Sequence, residues 1–480
     1  MKEITCFLLL TLPAWLPAQL FTDASQQLPD NGAKGQSMDV RAADLDNDGD
    51  LDIVLANEFQ ANTLLMNGGN GIFSNGTSGN LPQEVHDSED VAIADFNNDG
   101  FLDLVFCSED DITLGWSNVH EYYLGNGTGQ FVTASFQPSD SEANAVVSTD
   151  LNLDGFPDLL FGNNGGTGVL INDGTGQFIS ATERVPQLQR TTQDLAMADV
   201  DMDGDLDLME GNENGNVLCL NDGQGFFSDV SASHLPQGLN IETRKIAFGD
   251  IDQDGDVDVF LSNVAFIPGK MPQNRLFEND GSGHYTDITA THLPSDSDHT
   301  IDGIFEDLDL DGDLDLIVAN VFGAPVKIYE NAGDGHFGDA TLSVLGMYYY
   351  RDALGVIAED FNGDGLNDLY ICDRKLPQND SKDLLLLRHP ISAIPQLEPL
   401  SDQIRLFPNP AKSFIYLSSN SELPDTMTLY DNTGRHVSTL SANADEGRLY
   451  KIDLPKGLAS GLYYLQIAVG IQKPMYIHWE

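Results

Sequence analysis

Short apolar runs recur along this chain, and pairs of them bracket an acidic turn. Before the turns stand VRAAD, VAIAD, AVVSTD, LAMAD, IAFGD, GIFED and GVIAED; after them come DIVLAN, DLVFCS, DLLFGN, DLMEGN, DVFLSN, DLIVAN and DLYICD. Both sets are rich in β-forming residues and bounded by turn residues, which predicts short strands and not helices. Farther on, a second pair of runs is split by Gly-rich turns: LLMNGGNGIF, YYLGNGTGQF, VLINDGTGQF, VLCLNDGQGFF, RLFENDGSGHY and KIYENAGDGHF. Asn-Gly and Asp-Gly between apolar runs are strong hairpin signals. One unit therefore reads as four antiparallel strands, A to D, with the acidic turn between A and B. Successive turns begin 49 to 57 residues apart.

Repeated four-stranded units predict a β-propeller, since the repeats of a linear solenoid are usually much shorter. The seventh unit has a third strand in DLLLLRH (383–389) but no hairpin after it. Residues 20–29, LFTDASQQLP, match the fourth strands FFSDVSASHLP (226–236) and HYTDITATHLP (284–294). An N-terminal strand completing the last blade would close the ring and remove its exposed edges. The expected fold is all-β: a seven-bladed β-propeller of four-stranded antiparallel blades over residues 19–389, its last blade closed by strand 20–29. A Pro-rich linker (390–403) and a small β-sandwich-like C-terminal domain (404–480) follow.

The turns carry the chemistry. They read DLDNDGDLD, DFNNDGFLD, DLNLDGFPD, DVDMDGDLD, DIDQDGDVD, DLDLDGDLD and DFNGDGLND, beginning at Asp44, Asp95, Asp150, Asp199, Asp250, Asp307 and Asp360. Two carboxylates about 4.5 Å apart repel by roughly 4 kcal/mol at an effective dielectric near 20, so each turn needs a cation or open water. Positions one, five and nine are always Asp, position three is Asp or Asn, and position six is Gly, as a positive φ requires. Position seven is Asp50, Phe101, Phe156, Asp205, Asp256, Asp313 or Leu366, so what it shares across the repeats is its backbone carbonyl. Such a hard oxygen cage suits Ca²⁺ better than Zn²⁺ or copper, and Mg²⁺ prefers more water.

The seven turns with their flanking strands resemble the FG-GAP or VCBS repeats of integrin-α-like β-propellers over residues 20–389. The resemblance implies up to seven Ca²⁺ ions on one rim. Its ligands would be Asp44, Asp46, Asp48 and Asp52; Asp95, Asn97, Asp99 and Asp103; Asp150, Asn152, Asp154 and Asp158; and Asp199, Asp201, Asp203 and Asp207. The later turns add Asp250, Asp252, Asp254 and Asp258; Asp307, Asp309, Asp311 and Asp315; and Asp360, Asn362, Asp364 and Asp368. Asn362 and the polar Asn367 make the seventh site the expected weakest.

Net charge is −54, from 22 basic and 76 acidic residues, and the proposed ligands account for much of it. Nucleic acid and anionic membranes are excluded as partners for such a surface. Lys2 and the apolar run from Ile4 to Leu16, with Ala18 before the cut, read as a secretory signal peptide over residues 1–18. No later apolar stretch is long enough to span a bilayer. Cys107, Cys219 and Cys372 sit in apolar strands of different units and read as buried free thiols. In the tail, PNPA (Pro408 to Ala411), YDNTGR (Tyr430 to Arg435) and LASGLYYLQI (Leu458 to Ile467) resemble the type A C-terminal sorting domain of the type IX secretion system. That resemblance implies the secretion machinery as a partner and a secreted or outer-surface location. KPMYIHWE departs from it by lacking the usual basic finish.

Strand A runs toward the acidic turn, so residues six to nine before each first Asp lie near the opposite rim. Arg190, Arg244, His299 and Arg351 fall there with His86 and Tyr349, and the insertions bearing Trp116 and His120 emerge on that side too. No Lys or Arg occurs between residues 42 and 183, so this later basic and aromatic group reads as a site for an acidic or sugar-like ligand. The preferred function is a non-catalytic calcium-binding adhesion or binding module for a glycan or protein. The alternative is a polysaccharide lyase or hydrolase, for which the sequence carries no Ser-His-Asp, HExxH or Cys/His signature.

Overall fold

The computed structural model describes residues 20–30, 33, 35–109, 120–138, 141–374 and 382–389, and in the tail the strands between Arg405 and Trp479. Residues 1–18, expected to be a signal peptide, residues 390–403, expected to be a linker, and Trp116 lie outside the described residues. The chain divides into two compact regions, Met1–Pro390 and Ile391–Glu480.

In the first region each acidic turn joins strands A and B of an antiparallel unit, numbered here one to seven after its turn. The A strands are Ser37–Ala43, His86–Ala94, Ala143–Thr149, Thr192–Ala198, Glu242–Gly249, His299–Glu306 and Ala353–Glu359. Unit five is representative: A is followed by B (Asp258–Val264), C (Arg275–Glu278) and D (Thr286–Asp287) in one sheet ordered A-B-C-D. Units three, four and six repeat this order. In unit seven the fourth strand is Phe21–Asp23 from the N-terminus, with Phe21 opposite Arg388 of strand C (Leu384–Arg388), as the sequence match predicts. Units one and two depart from expectation, for they share one eight-stranded sheet. Strand B of unit one (Asp52–Gln60) and strand A of unit two each run nine residues, and the extra length pairs Glu58 with Asp87 and Gln60 with His86.

The fourth strands are shorter than the sequence suggests. Phe227–Asp229 gives way to a helical turn at Ser231–His234, because the Asp229 carboxylate accepts the Ser231 N–H and hydroxyl at 2.9 and 2.6 Å. Asp23, Asp287 and Asp339 end their strands by accepting an N–H two residues on in the same way.

Apolar faces of neighbouring units meet in shared cores. Val54 and Leu64 of unit one pack with Val91 and Leu104 of unit two, and the pattern continues to unit seven, whose Tyr370 and Leu385 pack with Val40 and Ile53 of unit one. Each A strand contacts the next, and those of units seven and one also touch. Buried carboxylates join some of them: Asp90, Asp194 and Asp302 accept the N–H groups of Val146, Ile246 and Val356 from the following unit at 3.1, 2.8 and 2.8 Å. Cys107, Cys219 and Cys372 are free and buried, as expected.

The second region contains two antiparallel four-stranded sheets. One orders Arg405–Phe407, Phe414–Ser418, Leu449–Asp453 and Asn443–Asp445; the other orders His436–Ser441, Thr426–Asp431, Gly461–Gln466 and Met475–Trp479. Leu429, Leu440 and Ile452 are buried.

Candidate functional site

Position-one Asp closes each acidic loop by accepting the N–H of the position-six Gly, as Asp44 does from Gly49 at 3.1 Å and Asp95 from Gly100 at 2.8 Å. Those glycines have φ of +86° to +99°, the conformation expected for them. In the four loops where positions one, three and five are all Asp, the carboxylates converge. One oxygen from each of Asp44, Asp46 and Asp48 lies within 4.8 Å of the others, and the same holds for Asp199/Asp201/Asp203, Asp250/Asp252/Asp254 and Asp307/Asp309/Asp311. Asn at position three instead bonds inside its loop. Asn97 donates to Asp99 at 3.0 Å, and Asn362 donates to both oxygens of Asp368 at 3.3 and 3.2 Å.

Position-nine Asp is buried in every loop and held by two backbone donors. Asp52 accepts from Leu45 and from Asn67, at the end of strand C, at 3.2 and 2.8 Å, and Asp258 does the same with Ile251 and Asn279. Burial outweighs these donors and pushes Asp52, Asp103, Asp207, Asp258 and Asp368 up to about 7, and Asp158 and Asp315 to about 6. This carboxylate is thus the architectural joint of the unit, a role its spacing alone does not reveal.

Do the residues fit a metal ion? Asp201 Oδ1, Asp205 Oδ1, Asp250 Oδ1, Asp256 Oδ1 and Asp307 Oδ1 are buried with no hydrogen-bond donor. Anionic oxygens withdrawn from water without donors are costly, and a cation is what satisfies them. Two of the five belong to position seven. Burial and then the Asp254, Asp252 and Asp250 charges push Asp256 up to about 6. In units four and five the position-seven carboxylate therefore lies close enough to feel the charge of the cluster, where the sequence assigned only a carbonyl. The clusters can hold metal ions.

The loops are wired into the cores. Position-two residues Leu45, Phe96, Leu151, Val200, Ile251, Leu308 and Phe361 are at most 3% exposed, and each sits in the core between its own unit and the next. Asn from the following unit's hairpin grips the same residue: Asn67, Asn172, Asn279 and Asn331 donate to the carbonyls of Phe361, Phe96, Val200 and Ile251, each at 2.8 Å.

At the other end of the A strands lies a cavity of about 540 Å³, and Arg244 lines it. His299 stands at its edge, 5.9 Å from the Phe266 ring and 5.2 Å from that of Phe322. The other described residues expected to bind ligand are not brought together there. Arg190 donates to the carbonyls of Asn214 and Gly215, and Arg351 pairs with Asp373 at 2.9 Å. Tyr349 is buried in a core. His120 is fully buried, stacked on Phe161, with its Nδ1 accepting the Ser108 N–H and its Nε2 against Ser141, and burial pushes it down to about 3. Sequence reading missed Lys245, whose ammonium lies 3.7, 4.0 and 3.4 Å from Asp39, Asp90 and Asp194.

The FG-GAP-like repeat profile matches residues 44–106, 150–210, 199–261 and 307–371, half of the chain, and a secretion system C-terminal sorting domain matches residues 405–475. No curated protein matches. Among solved structures, a lectin from Agrocybe aegerita that recognises non-reducing terminal N-acetylglucosamine is 17% identical, with 64% of this chain and 81% of that chain covered, at a TM-score of 0.42. BBS1N, solved in complex with ARL6DN, is 13% identical, with 78% and 98% covered, at a TM-score of 0.48. Among the described residues no helix is long and apolar enough to cross a membrane.

Proposed function

We take as premise that this chain belongs to the FG-GAP-like repeat family and ends in a secretion-system sorting domain, and we propose that it is a secreted or outer-surface, calcium-stabilised seven-bladed β-propeller that binds a glycan or protein without catalysis. The sorting domain implies engagement with the type IX secretion machinery, and its two sheets are read as a sandwich. Closure into a ring is supported by the contact between the first and seventh A strands.

The observation that carries the calcium reading is the set of buried, donorless carboxylate oxygens in loops whose second residues lie in the inter-unit cores. Positions one, three and five would hold the ion, with position nine and the position-seven carbonyl completing the cage. Bound calcium would supply charge neutralisation. Extracellular sites of this kind have dissociation constants near 10⁻⁴ to 10⁻³ M. At tenfold excess each contributes about 1.4 kcal/mol, so seven would supply about 10 kcal/mol. A glycan and matrix-protein array probed with the calcium-loaded protein tests the binding role. Retention on a ligand with no new reducing or unsaturated ends is expected, and release of such ends would identify an enzyme instead.

A further inference from the structure

Each A strand breaks register once, at the end away from the acidic loop. A bulge of this kind takes one residue out of the ladder and re-aims its side chain. In every unit a residue at the break lines the same cavity. The ring of bulge residues is divided. Ile301, Leu354 and Met38 form an apolar arc across units six, seven and one, while Glu89, Asn144, Gln193 and Arg244 form a polar arc across units two to five. Phe266 and Phe322 extend the lining, their rings 5.4 Å apart. Phe322 is 71% exposed and has a φ of +59°, a conformation seldom adopted by a bulky residue.

The charges in this wall are unevenly matched. Lys245 is engaged by Asp39, Asp90 and Asp194, and Arg374 by Glu58 at 2.5 Å. Arg244 pairs with Glu242 at 2.6 Å and lies 4.7 Å from the Phe266 ring centre. Among the described residues, neither the Glu89 nor the Glu109 carboxylate has a hydrogen-bond or ion-pair partner. Burial, and then the Asp87, Glu109 and Glu58 charges, hold Glu89 well above the usual carboxylate range, against Arg374. The arginine that suggested an acidic ligand from sequence is already paired with Glu242, though its buried Nε has no hydrogen-bond partner, and the carboxylates without partners are Glu89 and Glu109.

We propose that this cavity binds a small organic cation, an aliphatic amine of the diamine or polyamine class, with ammonium against Glu89 and Glu109 and methylenes along the apolar arc. A volume of about 540 Å³ is in the range of small-molecule sites, and the phenylalanine faces favour a cation over an anion. The inference rests on reading the molecule as a binding module and supplies a ligand class for it.

Calorimetric titration of the calcium-loaded full chain with cadaverine, 1,5-pentanediol and glutarate separates charge from length. Cadaverine is expected to bind one to one, with pentanediol and glutarate at least tenfold weaker, and with E89Q/E109Q weakening cadaverine at least tenfold. Absence of cadaverine binding, binding indifferent to E89Q/E109Q, or tighter binding of glutarate would each overturn the proposal. Because the two carboxylates lack partners, E89Q/E109Q should melt at or above the wild-type temperature in the same calcium; a lower value would make them structural and defeat the assignment. Consumption of the amine would overturn the non-catalytic reading while supporting the cavity.

Discussion

At position four of the acidic loops the backbone is left-handed whatever side chain it carries. Asn47, Asn98, Leu153, Met202, Gln253 and Leu310 have φ between +55° and +63°, and Gly363 takes +73°. A non-glycine residue held there costs on the order of 1–2 kcal/mol, and glycine returns about 0.4–1 kcal/mol of that through the unfolded chain. Leu153 is 68% exposed, so removing its side chain uncovers no core. Leu153→Gly should therefore stabilise the protein by about 0.5–1 kcal/mol in denaturant melts. Glu121 offers a pH handle away from the loops. It is buried, accepts from Tyr123 and Asn62, and burial pushes it up to about 7 despite those donors. A carboxyl raised in the fold contributes stability that is full below its unfolded pKa and lost as pH rises through the folded one. Wild type should therefore lose on the order of 3 kcal/mol relative to Glu121→Gln between about pH 4.5 and 7, seen by comparing their melts across that window. Position six was legible because only glycine occurs there. Position four was hidden because six loops place ordinary residues in the same strained conformation.

At the scale of the element, the hairpin asparagine does two jobs, and only one shows in a sequence. Asn-Gly and Asp-Gly announce the turn, while the clamp onto the neighbouring loop depends on a contact 76 to 80 residues back in the chain for Asn172, Asn279 and Asn331. Asn279→Ala should cost about 1–3 kcal/mol by stranding the Val200 carbonyl in a buried site. Asn221→Ala should cost less in the same chemical denaturation, because its side-chain N–H donates to the Leu206 carbonyl of its own unit and not to a neighbouring loop. Unit seven has no such Asn, and Arg388 substitutes by donating to the Asp307 carbonyl at 3.4 Å. The A-strand bulges left no trace in the alternation of apolar and polar residues, so Glu89 was passed over. Arg244 was picked out by its charge and its place six residues before the acidic turn, not by the bulge that aims it.

Across the whole molecule, the repeat length, the missing last hairpin and the match of residues 20–29 to other fourth strands made the architecture readable, since each is a local pattern. The merged sheet of units one and two was not readable, because strand length is fixed by what the strand meets in space. Phe21–Asp23 pairs with the last C strand, and Leu20 adds bonds to Val344 and His389 at 2.9 Å. Deleting residues 20–30 should therefore unfold or polymerise the protein in size-exclusion chromatography, as an exposed sheet edge demands; an intact monomer with unchanged melting would argue against closure. In the calcium proposal, divalent cations neutralise the acidic loops and thereby hold the sheets to one another. Its most direct test is the melting temperature of the purified chain in millimolar calcium, after chelation, and after calcium is restored. A steep, reversible fall on chelation is expected, whereas identical melting in all three conditions would show that bound cations do not support the fold.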